Sequence, residues 1–411
     1  MSDVLERFLR YVQVDTQSDP NNEKETPSSQ IQFDLAHLLE SELKALGAKD
    51  VEVSKNSYVL AKIDGSEGLE DAPRLGLIAH IDTSYDAPAS GVKPQLKKFD
   101  GKDIALSDSE DAVKILVSEL EDADKLIGKT IVCTDGTTLL GADDKAGVAE
   151  VISLIHRLQE DPSIPHPPLA ICFAPDEEIG HGAELLDLDT FGAQYAYTVD
   201  GGPIGEFEYE SFNAADAKIE IKGTGVHPGS AKNIMVNALQ LAFEINQALP
   251  AHERPEHTES YEGFYHLLEL KGETTHAYMH YIIRDHSKEA LEAKKEFLSD
   301  IVALINKRHG EGRIKLALKD SYYNMADIVE KHPLLIENAH DAYEKAGYSP
   351  ITLPIRGGTD GSQLSFRGLP CPNLSTGGYN YHSIREFVPV ESLEGMVDVL
   401  EQLVRIFAEK N

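Results

Sequence analysis

The sequence predicts an α/β protein whose mostly parallel-sheet domain is interrupted by an inserted ferredoxin-like domain. Two observations carry that expectation. Short, continuously apolar runs at Leu75–Ile81, Leu169–Phe173 and Tyr195–Val199 read as strands buried on both faces, and a helical stretch separates the first two. From about Ala217 the order changes to β-α-β-β-α-β within roughly one hundred residues, the size of an independent domain.

Each element follows from local pattern. Ile31, Leu35, Leu38, Leu39, Leu43 and Leu46 recur at helical spacing and stop at Gly47, a good helix terminator. A second helix is expected from about Asp144 to Leu158. The insert reads as strand Lys218–Lys222, helix Ile234–Leu249, strands Phe264–Leu270 and Tyr278–Arg284, helix Lys288–Arg308 and strand Arg313–Leu318. Helices near Pro333–Ala346 and Glu391–Glu409 mark the return of the α/β pattern. The expected domains are 1–212 with 325–411, and 213–324 between them. Asp19–Pro27 reads as a polar loop, and the stretch from about Tyr85 to Lys129 carries no assignable motif.

Composition narrows the partners. A chain of 411 residues with 41% hydrophobic content has material for more than one core. The formal charge of −32 repels nucleic acid and anionic membranes. No segment approaches the ~20 apolar residues of a membrane span, and no basic-then-apolar leader opens the chain, so a cytoplasmic location is expected. Cys133, Cys172 and Cys371 are scattered and read as buried free thiols.

Five segments put polar residues at the ends of buried strands or helices, where α/β sheets build their sites. In Ala79–Thr83, His80 and Asp82 lie two apart on extended backbone and can face the same way. Leu140–Gly147 opens a helix with Asp143 and Asp144; helix capping and metal binding are both open to this pair. Phe173–Gly180 carries Asp176, Glu177 and Glu178, an ordinary acidic turn or a division of labour between metal binding and proton transfer. Thr198–Gly202 supplies Asp200, and the glycine-rich Gly377–His382 supplies His382. Two histidines and several carboxylates, with no paired cysteines, form a mixed nitrogen and oxygen set suited to zinc. Three negative ligands would nearly neutralise two divalent ions once hydroxide binds, which favours a two-metal site.

At these residues the chain resembles the dinuclear zinc exopeptidases that include glutamate carboxypeptidases, aminoacylases and succinyl-diaminopimelate desuccinylase. The matching segments are Ala79–Asp82, Thr134–Gly147, Pro175–Gly180, Val199–Gly202, Val226–Gly229, Ile355–Gly361 and Gly377–His382, in family order. The resemblance is strongest to the branch that removes the N-terminal residue of tripeptides. It implies two zinc ions per subunit, with cobalt or manganese as alternatives. His80 and Asp200 would serve one ion, Glu178 and His382 the other, and Asp143 would bridge, followed by a cis peptide to Asp144. Asp82 would orient His80, and Glu177 would be the general base. His227 resembles the family histidine that stabilises the oxyanion, and the insert would act as a lid and homodimerisation surface. Arg284 and Arg356 have the planar guanidinium suited to a peptide carboxylate, with a surface salt bridge open for either. A dipeptidase, a carboxypeptidase or a deacylase of the same family is the competing enzyme, and a catalytically silent binding protein is the competing class.

Overall fold

The computed structural model describes residues 1–22, 24–120 and 122–410. The chain divides into two compact units. The first comprises Met1–Tyr209, Asp327–Thr352 and Thr359–Asn411; the second comprises Glu210–Ala326 and Leu353–Gly358.

The main sheet has eight strands in the order Lys49–Val53, Val59–Ile63, Leu169–Ala174, Leu75–His80, Tyr195–Gly201, Asn373–Ser375, Glu206–Ser211, Ile351–Ile355. Its four central strands, Leu169–Ala174 through Asn373–Ser375, run parallel. Val59–Ile63 and Glu206–Ser211 flank them antiparallel. The apolar runs seen in the sequence follow from burial on both faces. Leu77, Ile171 and Val199 join one core with the helices Ala142–Glu160 and Val390–Glu409, while Ile78, Cys172 and Ala196 pack with Phe191, Leu364 and Cys371 on the other. Helix Ala142–Glu160 lies so close to strand Tyr195–Gly201 that a Cβ on Gly147 would stand 2.0 Å from the carbonyl of Val199. Cys133, Cys172 and Cys371 are buried and free.

The stretch after Tyr85, without a motif in the sequence, builds a small layer of its own. Strands Gln95–Lys98, Thr130–Cys133 and Phe387–Pro389 pair antiparallel, and Phe99, Leu106, Ile131 and Phe387 fill its core.

The second unit is a four-stranded antiparallel sheet in the order Phe264–Gly272, His276–Asp285, Asn213–Lys222, Ile314–Tyr322. Alternate residues of these strands, such as Ala277, Met279, Tyr281 and Ile283, meet Leu241, Ile245, Leu298 and Val302 of the helices Ala238–Ala248 and Lys288–His309. The first helix starts later than its apolar pattern suggests. Val236 is held in a bridge to Thr224, and Asn237 caps the helix by accepting from the Leu239 amide. The unit also includes Leu353–Gly358, outside the range 213–324 expected from sequence, because Arg356 lies over the rings of Phe212 and Phe264 and donates to Ser260 and Thr258. Among the described residues no helix is long and apolar enough to cross a membrane.

Candidate metal centre

The four parallel strands deliver the site from their carboxyl ends. Leu75–His80 ends in His80, Tyr195–Gly201 carries Asp200, Leu169–Ala174 leads into Glu177 and Glu178, and Asn373–Ser375 leads into the loop of His382. Asp143 comes from the start of helix Ala142–Glu160, where its backbone is not helical (φ −85°, ψ 103°) and its peptide bond to Asp144 is cis.

Two sets of three donors converge, His80 with Asp143 and Asp200, and Asp143 with Glu178 and His382, each within 4.8 Å of one another. They share Asp143. One of its oxygens lies 2.9 Å from His80 Nε2, the other 3.3 Å from His382 Nε2. Asp200 Oδ1 stands 3.3 Å from His80 Nε2, and Glu178 Oε2 stands 2.9 Å from His382 Nε2. The other Glu178 oxygen is buried without a hydrogen-bond partner among the described residues.

The open alternatives for the acidic pairs divide along geometry. Asp143 faces the histidines, whereas Asp144 accepts from the His80 and Gly147 amides, the second a capping contact at the helix start. In the acidic turn, Asp176 adopts left-handed backbone (φ 56°) and turns its carboxylate to Ser28 and Gln32. Asp82 is fully buried and fully used. Its oxygens meet His80 Nδ1 at 3.2 Å, accept from the amides of Glu177 and Glu178 at 3.0 and 3.2 Å, and accept from the Ser18 hydroxyl.

Electrostatics mark the cluster as tightly balanced. Burial opposes the charge on Asp143, but hydrogen bonds from His382 and His80 outweigh it and hold the carboxyl well below its usual range. His382 is pushed up to about 11, chiefly by its contact with Asp143 and then Glu178. Burial, then the charge of Asp143, pushes Glu178 up to about 8, and burial pushes Asp200 up to about 6 against the opposing charge of His80. Burial, reinforced by Asp200, also raises Glu177 well above the carboxylate range. Two imidazoles and three carboxylates aimed at one another, with one carboxylate oxygen left unpaired among the described residues, suit a pair of divalent cations.

Three further residues of this unit escape sequence reading. Asp86 Oδ2 lies 3.1 Å from His382 Nδ1. Glu386 receives three backbone amides from the turn before Asp144. Ser18 closes the shell of Asp82. Only Asp86, six residues beyond His80, and Glu386, four beyond His382, carried even a faint positional signal.

The remaining candidates belong to the inserted unit. His227 is exposed, and its Nδ1 accepts from the Gly229 amide at 3.1 Å. Arg284 lies over the Tyr322 ring and donates to the Arg356 carbonyl at 3.1 Å, with a buried Nε that has no hydrogen-bond partner among the described residues. The Arg356 guanidinium is occupied by the Ser260 carbonyl and the Thr258 hydroxyl.

Comparison with known proteins agrees in family and in fold. Residues 209–313 match the peptidase dimerisation domain, M20_dimer. The chain is 48% identical over 411 residues to peptidase T of Caldanaerobacter subterraneus subsp. tengcongensis, covering all of both chains. Among solved structures it is similar to aminopeptidase PepT from Bacillus cereus, with a TM-score of 0.78 at 22% identity, covering 99% of this chain and 98% of that one. A dinuclear metal-binding peptidase of the M20 family from Bacillus subtilis superposes with a TM-score of 0.68 at 15% identity, over 99% of this chain and 98% of that one.

Proposed function

The chain belongs to the peptidase T family and is a peptidase; on that premise we propose that it removes the N-terminal residue of tripeptides by metal-assisted hydrolysis. The observation that carries the reading is the meeting of two three-donor sets at Asp143. His80 and Asp200 would hold one zinc, Glu178 and His382 the other, with Asp143 between them; cobalt or manganese would suit the same donors. When bound, such ions supply Lewis acidity toward a peptide carbonyl and a water.

The side chains do the rest. Glu177 takes the proton of the attacking water and returns it to the departing amine. The anchoring of its backbone amide by Asp82 suits that task. Asp82 also holds His80 by Nδ1, leaving Nε2 to face the ions. His227 would stabilise the oxyanion. Arg284, with a free donor, would receive the peptide carboxylate, held in place through the Arg356 carbonyl. The protein would work in the cytoplasm as a homodimer formed through the inserted unit.

Glu177→Gln tests the central role. Hydrolysis of tripeptides should fall by roughly 10²–10⁴-fold with zinc content nearly unchanged; retained activity would overturn the assignment. Comparing tripeptides with dipeptides and N-acetylated peptides separates this reading from the other exopeptidases of the family.

A further inference from the structure

We infer that Glu386 is a positioning residue that locks the turn presenting Asp143 and ties it to the loop of His382. The inference rests on the metallopeptidase reading above. Glu386 is 1% exposed. Its Oε2 accepts from the amides of Leu140 and Gly141 at 2.7 and 2.8 Å, and its Oε1 accepts from the amide of Asp143 at 3.0 Å. These amides stand at the start of helix Ala142–Glu160, where the first donors have no partner within the helix. A carboxylate with two oxygens can satisfy three such donors together.

The other end of Glu386 is equally fixed. The adjoining Phe387 exchanges both backbone hydrogen bonds with Tyr379, at 2.9 and 3.1 Å, and their rings stack at 4.8 Å. Phe387 also pairs with Cys133 in the small sheet. The loop that carries His382 is thus closed at its neck, and Glu386 joins that neck to the turn bearing Asp143. Both sides of the second donor set depend on one buried side chain.

Glu386→Ala removes all three acceptors, while Glu386→Gln keeps one oxygen and turns an NH2 group toward a donor. In the metal-free full-length chain, hydrogen exchange at the Leu140, Gly141 and Asp143 amides should quicken by about tenfold or more in Glu386→Ala. Zinc titration of the same variant should show affinity about 10–100-fold weaker, with kcat reduced and KM within about twofold of the parent. Glu386→Gln should fall between parent and Ala, and it carries the test if the Ala variant does not fold. Unchanged exchange and unchanged zinc affinity in the variants, beside a parent that binds zinc, would overturn the role of Glu386 alone. A parent that binds neither zinc nor cobalt nor manganese would overturn the metallopeptidase reading with it.

Discussion

The two histidines that face Asp143 are held in different ways. His80 ends a central strand, its side chain is 2% exposed, its backbone amide donates to Asp144, and Asp82 backs its ring. His382 sits on a loop with left-handed backbone (φ 59°), its side chain is 42% exposed, and its Nδ1 rests on Asp86, itself 53% exposed. The sheet positions the first histidine; side-chain contacts position the second. The half of the centre containing His80, Asp143 and Asp200 is therefore preorganised, and a first metal ion should bind there more tightly than a second binds beside Glu178 and His382.

The largest expected effect breaks the preorganised half. His80→Ala should lower tripeptide hydrolysis by roughly 10³-fold or more and abolish tight retention of metal after gel filtration. His382→Ala should leave one equivalent bound. Equal metal loss in both variants would erase the asymmetry. A smaller effect sharpens it. Asp86→Asn should weaken the second equivalent by about tenfold, the low end for a group supporting a ligand, with the first unchanged in a zinc titration.

The smallest effect separates a buried carboxyl from the centre itself. Glu150 lies further along the helix that begins beside Asp143, fully buried, with neither carboxyl oxygen hydrogen-bonded among the described residues. Burial raises its pKa well above the ordinary 4.5, so above that pH the folded chain keeps a proton that the unfolded chain has released. Stability must then fall as pH rises from about 4.5 toward the folded pKa. Thermal unfolding of metal-free Glu150→Gln should show a gain near zero at pH 4.5 that grows as pH rises toward 8. A pH-independent difference would contradict this account of the site.

Much of this was legible in the residues, for physical reasons. Strands such as Leu169–Ala174 are buried on both faces and so are uniformly apolar, while His276–Asp285 alternates because one face of its sheet is covered. His80, Asp143, Glu178, Asp200 and His382 sit in short motifs at element ends, where spacing along the chain still reflects geometry. The layer after Tyr85 was not legible. Its strands are two to four residues long, and Thr130–Cys133 finds its partner at Phe387–Pro389. Glu386 and Asp86 were missed for the same reason, since their contacts span 243–246 and 296 residues and nearness in sequence to His382 and His80 is only a faint signal. Arg356, in a glycine-rich turn, reads as a guanidinium for a peptide carboxylate or a surface salt bridge, and only packing reveals that its donors go to Ser260 and Thr258.

Zinc titration of the chelator-treated chain, with tripeptide hydrolysis followed in parallel, tests the shared-carboxylate centre most directly. Two equivalents should bind per chain in two resolved steps, the tighter one lost in Asp200→Ala, and hydrolysis should return with the metal. Full hydrolysis by the metal-free chain, or no saturable zinc binding, would contradict the account.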